Sequence, residues 1–329
     1  MIGTAIKLHS IRFVLLWVAG MCFFTLTVIA QSNPPAETSF KELLEKDGVA
    51  QRQIDYLIRS NDAFTRQGAG LSAGLLNTKL RQLMDPMVEA YEEFLVKYPK
   101  FVKGHLAYAS FMLELDQQKP AEKHLQRAIQ LEPSNPVALN NLANYFGQYG
   151  PAAEAFANYE RAIELRPNEA TYYRNYASAM LVNRAAARDY LKVKTEQQVF
   201  RRALDLFKKA VTLSPEDFLL ASTLAQSYYR VQPVPYSEAK QAWKNALRLA
   251  SAPAEQQGVR LHLARLHIAT KDYEDARRYL NGVTDESLDS IRKPLLAKLP
   301  LKMTPLPFST STRGPRLFNL STAPPPGSK

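Results

Sequence analysis

Small and large apolar positions recur along this chain at a fixed period. Pro99, Pro133 and Pro167 lie 34 residues apart, and Pro215 follows 48 residues later. The last three prolines close the similar phrases AIQLEP, AIELRP and AVTLSP. Ala128, Ala162 and Ala210 stand five residues before those prolines, and Ala121, Ala155 and Ala203 stand seven before the alanines. Leu125, Tyr159 and Phe207 fall between them. Ala239, Trp243 and Ala246 repeat the phrase more loosely, as do Ala276, Leu280 and Val283. Ahead of each phrase stands a large residue followed by alanine: Tyr108-Ala109, Leu142-Ala143, Tyr176-Ala177, Leu224-Ala225 and Leu263-Ala264.

This spacing predicts pairs of helices of about a dozen residues each. Two such helices approach closely only where a small residue faces a large one. Alanine at fixed points lets the backbones come together, and the aromatic or leucine fills the space beside it. Proline after the second helix prevents its continuation and starts the next unit. One hairpin cannot bury its own apolar face, so neighbours stack and share a continuous core.

The pattern over 86–284 resembles the tetratricopeptide repeat, with about five units. The resemblance implies an all-α protein, an alpha-alpha superhelix of helix-turn-helix repeats whose first helices line a concave side. The match has departures. The tryptophan expected in the first helix is absent from every unit, and the last two units lack the closing proline. Residues 183–196 insert about 14 residues into the third unit, in a segment of good helix formers. Val231–Ser237 adds a smaller insertion in the fourth.

The flanks read differently. In residues 1–30, Lys7 and Arg12 precede the charge-free run Phe13–Ala30, with Val28-Ile29-Ala30 offering compact residues before Gln31. That is the pattern of a signal peptide cleaved after Ala30. At 18 residues the run also reaches the lower limit for an uncleaved membrane anchor. Either way residues from 31 onward face outward, on the periplasmic or extracellular side. Cys22 sits in a poor lipobox, with Met21 before it and Phe23-Phe24 after it. Residues 31–39 read as a linker and 40–85 as helical hairpins broken at Gly68-Ala69-Gly70. Asp85-Pro86 reads as a cap and first helical residue. Residues 285–299 read as a capping helix interrupted near Pro294. Residues 300–329, with seven prolines and no acid, read as a disordered basic tail.

The composition of the 329 residues, 46% hydrophobic with a formal charge of +11, describes a globular chain. The charge is uneven. Residues 1–30 carry +2 and those after Asp289 carry +7, which leaves +2 on 31–289. A nearly neutral body gives no reason to expect a nucleic-acid partner. One cysteine excludes a disulfide framework and a cysteine-based zinc site.

Candidate chemistry is sparse. His262 and His267 are five residues apart and do not share a helix face. No HExxH, G-x-S-x-G, phosphate-cradling glycine loop or Cys–His pair is present. The reading is non-enzymatic, with no catalytic, cofactor or metal residue. A protein- or peptide-binding groove fits better. Its candidate residues, on the first helices and facing away from the packing alanines, are Leu106, Ser110, Asn140, Asn144, Arg174, Ser178, Ser222, Gln226, Tyr229 and Arg265. Asparagine amides both donate and accept, which suits an extended peptide backbone, and arginine forks onto carboxylates. Lys103 and Arg174 alone do not make the clamp by which related arrays grip chaperone C-termini. The alternatives are an envelope assembly factor anchored by Phe13–Ala30, and a carbohydrate-binding or enzymatic groove using Tyr172, Tyr173 and Tyr176.

Overall fold

The computed structural model describes residues 34–300. The described residues contain fourteen α-helices and no strand. They form two compact units, 34–259 and 260–300. The expectations for residues 1–30 and 301–329 lie outside the described residues.

The first unit opens with one long hairpin, α1 (Pro34–Arg66) and α2 (Ala73–Lys97). Shorter hairpins follow: α3 (Val102–Glu114) with α4 (Gln118–Leu131), and α5 (Pro136–Tyr149) with α6 (Ala152–Leu165). Next come α7 (Ala170–Val182), the short α8 (Arg184–Tyr190), α9 (Glu196–Leu213), α10 (Phe218–Ser227) and α11 (Tyr236–Leu249). Within each hairpin the two helices pack together, and the second packs on the first helix of the next. The repeat alanines carry this packing. Ala109, Ala121, Ala128, Ala143, Ala155, Ala162, Ala177, Ala203 and Ala210 are all 0% exposed. Phe156, Tyr159, Tyr176 and Phe207 fill the space beside them at 0–2% exposure.

Several sequence expectations need correction at the N-terminal end. Residues 34–39 are helix rather than linker. Pro34 and Pro35 sit in the first turn, where a missing N–H costs nothing, and Ala36 and Phe40 are buried one turn apart. Residues 40–85 are not separate hairpins but most of one. The turn falls at the predicted glycines, with Gly68 at φ 79°. Ser72, not Asp85, caps α2 by accepting from the Leu75 N–H at 3.4 Å. Pro86 lies inside α2. The apolar stripe Leu80, Met84, Met87, Tyr91 runs unbroken past it and holds the helix together despite the lost hydrogen bond.

Where the long hairpin meets the array, four rings interlock. Phe94 lies 5.6 Å from Phe40, 5.1 Å from Tyr98 and 5.4 Å from Phe101. Helix α3 comes so close that a Cβ at Gly104 would sit 2.7 Å from the Phe94 ring. The insertion at 183–196 becomes α8 and the turn into α9. Tyr190 turns its ring edge-on to Phe156 at 5.3 Å and donates to Glu160 at 2.8 Å, which ties the insertion to α6.

Helix α12 (Pro253–Ala269) runs into the second unit, where α13 (Tyr273–Asn281) and α14 (Asp289–Leu296) complete a small core. Leu261, Ala264, Ala276, Leu280 and Val283 are buried there together with Leu295 and Leu299. The capping segment is helical only from Asp289, after a 3-10 turn at Glu286–Leu288, and Pro294 lies within the helix rather than breaking it.

Candidate functional site

The structure sorts the predicted residues by depth. Leu106, Asn140 and Ser222 are buried at 8%, 5% and 7% exposure. Ser110, Asn144, Arg174, Ser178 and Tyr229 are half-buried, and Gln226 is exposed. Arg265 is exposed and belongs to the second unit.

Asn140 and Ser222 are therefore packing residues rather than open contacts. Asn140 donates to Asn141 Oδ1 at 3.3 Å and accepts from Asn175 Nδ2 at 3.1 Å. Three buried amides thus join α5 to α7. Asn175 is 2% exposed, and its Oδ1 accepts no hydrogen bond. Buried amides need partners because an unmade bond costs the full desolvation of the group. Ser222 spends its hydroxyl on the Leu219 carbonyl at 3.0 Å, inside its own helix. Asn144 accepts from the Tyr159 hydroxyl at 2.7 Å, which fixes its orientation from the second helix of its own hairpin. Arg174 is half-buried and next in sequence to Asn175; burial pulls its guanidinium below the usual arginine value, and Asp217 and Glu169 only partly oppose that.

Asn141 and Asn175 are missing from the sequence-based set. Their signal is an asparagine repeated at the 34-residue period, one place beyond Asn140 and Arg174. The tyrosines proposed as a carbohydrate platform are not available for one. Tyr172, Tyr173 and Tyr176 are 3%, 9% and 1% exposed. Tyr173 donates to the Pro167 carbonyl at 2.9 Å and Tyr176 to Glu160 at 2.6 Å.

Two polar clusters lie off this face, and residue spacing alone did not reveal them. His105 and His124 meet Nδ1 to Nδ1 at 2.9 Å, and His105 Nε2 lies 3.1 Å from the Pro99 carbonyl. A carbonyl only accepts, so His105 carries its proton on Nε2 and His124 is the donor between the rings. Burial pushes His124 down to about 4, with His105 and Lys123 adding to the effect. The second cluster joins the long hairpin to α3. Tyr91 donates to Asp47 Oδ2 at 2.6 Å, and Gln51 donates to Glu114. Burial, with the Asp47 charge beside it, pushes Glu114 up to about 7. Burial also raises Asp47, whose Oδ1 has no hydrogen-bond partner. Among the described residues, no three His, Cys, Asp or Glu side chains assemble as a metal site, and no helix is long and apolar enough to cross a membrane.

No protein-family model matches this sequence. No curated protein matches it either. Solved structures do match. The structure of pilF from Pseudomonas aeruginosa aligns at a TM-score of 0.50 with 16% identity, covering 76% of this chain and 99% of that one. PilW, a type IV pilus biogenesis factor, aligns at 0.48 with 14% identity, covering 74% and 98%. YrrB, a TPR protein with an unusual peptide-binding site, aligns at 0.48 with 13% identity, covering 64% and 100%. At these identities the likeness concerns the fold alone. The 34-residue period, the alanine-lined hairpins and the match to the first of these structures agree: the chain has the tetratricopeptide-repeat fold.

Proposed function

We propose that the chain is a non-enzymatic scaffold that binds an extended peptide or protein segment along the face formed by α3, α5, α7 and α10. The observation that carries this reading is the buried amide row Asn140–Asn141–Asn175 with half-buried Arg174 beside it. The row is a rigid polar floor. Asn144, Arg174 and Ser178 are half-buried on the two helices it joins, and Ser110 on α3 and Gln226 on α10 are the partly exposed candidates on the first helices to either side. Side chains held by their own packing lose little freedom on binding, and that preorganisation favours affinity. An arginine among amides and hydroxyls suits a peptide with an acidic side chain or terminus.

The apolar run Phe13–Ala30 favours an exported array, with residues from 31 onward on the periplasmic or extracellular side. The same run supports a second reading, an envelope assembly factor still tethered by that segment. Intact mass of the protein recovered from its native host separates the two.

The binding reading is tested by selecting peptides from a displayed random library on the full chain. Arg174→Gln with Gln226→Ala is expected to weaken the selected peptides about tenfold or more, since a charged hydrogen bond contributes about 1.5–3 kcal/mol. Undiminished binding, or a library that yields no binder, would contradict it. Asn140→Ala is an unsuitable probe because Asn140 is buried and bridges α5 to α7.

A further inference from the structure

Helix α1 outruns the helix it packs on. Glu37, Phe40 and Gln51 of α1 meet Lys103, Phe101 and Glu114, which span α3 from end to end. Past Gln51, α1 continues for 15 residues to Arg66, roughly 22 Å. Helix α2 starts at Ala73 and runs back beside it. The two form an arm that carries on beyond α3. Its turn is built from specific bonds. The Phe64 carbonyl accepts from the N–H groups of Gln67 and Ala69, at 3.0 and 2.9 Å. Asn61 Oδ1 accepts from the Leu71 N–H at 2.7 Å, and Ser72 caps α2.

The arm presents its side chains in order along its length. Phe64 and Leu75 stand within one turn of the tip, 54% and 48% exposed. Arg66 is exposed at the same level. Lys79 and Arg81 are exposed about two turns further back, and Tyr56, at 75% exposure, lies nearly three turns back. Residues 52–82 hold five cations and two acids. Of the acids, Asp55 pairs with Arg59 at 2.8 Å and Asp62 is half-buried. The arm is therefore apolar at its end and basic behind it.

We propose that the tip of the α1–α2 arm docks end-on on an anionic lipid surface, with Phe64 and Leu75 in the interface and Arg66, Lys79 and Arg81 among the headgroups. The order of the side chains selects this partner. A protein groove takes a helix along its side, through anchors at i, i+3, i+4 and i+7 of one helix. Here the exposed apolar groups come from two helices and meet at one end. A bilayer offers the matching order, with negative charge outside and hydrocarbon beneath. Apolar groups at such a surface sit about 5–10 Å deep, one to two turns of the arm. Lys79 and Arg81 then lie at headgroup depth, where each cation strengthens the attraction to anionic lipid. Tyr56 lies in the belt that amphipathic aromatic rings favour. The contact is interfacial: among the described residues no helix is long and apolar enough to cross a membrane. It uses none of the residues of the first-helix face.

The test uses the full chain with Cys22→Ser, which removes its only cysteine, and a nitrobenzoxadiazole dye attached through Ala69→Cys at the turn. A second protein carries the dye through Lys119→Cys, an exposed position at the start of α4. Docking predicts a blue shift from the dye at 69, and none from the dye at 119, on mixed phosphatidylglycerol–phosphatidylcholine vesicles. Lipids brominated on their acyl chains should quench the dye at 69. Lys79→Gln with Arg81→Gln should raise the lipid concentration for half the shift about thirtyfold. Phe64→Ser with Leu75→Ser should abolish the shift. A wild-type melting curve shows that each variant is folded, since all four positions are exposed. No shift at 69, or an equal shift on pure phosphatidylcholine vesicles or from the dye at 119, would overturn the docking. An equal shift with polyglutamate would assign the tip to an acidic polypeptide and overturn it too, as would a charge variant that behaves like the unchanged chain.

Discussion

The long hairpin α1–α2 and the short hairpins behind it are built from the same kind of helix but held together differently. In α3–α4 and α5–α6, thirteen- and fourteen-residue helices meet through alanines that are fully buried. In α1–α2, helices of 33 and 25 residues pack less densely for their length. Six large apolar side chains of that hairpin, Leu44, Val49, Tyr56, Phe64, Leu75 and Val96, stay at least 40% exposed. Its junction with α3 sets one small residue, Gly104, against the Phe94 ring and buries a pair of carboxyl groups beside it. The difference shows what the 34-residue pattern supplies. It fixes backbone approach at every turn of a short hairpin. Where the pattern is absent, length and a few polar contacts set the geometry, and apolar surface is left for something else to cover.

This contrast can be broken by substitution, beginning with the largest expected effect. Phe156→Ala removes a 0% exposed ring from the second helix of a short hairpin and is expected to cost about 3–5 kcal/mol in thermal or denaturant unfolding. Ala177→Leu forces extra volume into a 0% exposed site and is expected to cost about 1–3 kcal/mol. Wild-type stability in that variant would mean that the alanines do not set the helix spacing.

The carboxyl pair makes a pH prediction. Burial holds Glu114 up at about 7 in the folded chain, above its value in the unfolded chain of about 4.3. The folded state then binds more protons between those values, so stability falls as pH rises through that window and levels off above it. Glu114→Gln should flatten the dependence and gain about 1–2 kcal/mol on wild type at pH 8 compared with pH 4. Asp47, raised in the same direction, leaves a residual slope. Parallel stability curves for the two proteins would place the Glu114 carboxyl in solvent.

Gly104→Ala sharpens the junction further. Helix propensity favours alanine by about 1 kcal/mol. Contact with the Phe94 ring, itself wedged among Phe40, Tyr98 and Phe101, should reverse that sign and leave a net loss of about 1 kcal/mol. The smallest effect is expected at the far end of the long hairpin. Phe64 is 54% exposed, and Phe64→Ala should change stability by no more than about 0.5 kcal/mol.

The two regions were not equally legible in the sequence. The short hairpins were, because small-large-small spacing at a fixed period has one packing solution, and Ala121, Leu125 and Ala128 are all buried. Pro86 misled because a proline after aspartate has the local chemistry of a helix start. Only the apolar stripe on both sides of it, Met84 to Met87 to Tyr91, says that the helix continues. The candidate face was legible in its residue types but not in its depths. Asn140 and Arg174 occupy the same repeat position, yet one is buried in an amide row and the other is half-exposed. That outcome depends on Asn175, which lies on the adjacent helix and 35 residues away in the chain.

Hydrogen–deuterium exchange of the full chain, with and without a saturating library-selected peptide, tests the central claim most directly. Binding along the first-helix face predicts slower exchange in α5, α7 and α10, strongest around 140–147 and 174–182, with α6, α9 and the long hairpin unchanged. Protection confined to α6 and α9, or to α1 and α2, would place the binding surface elsewhere and contradict it.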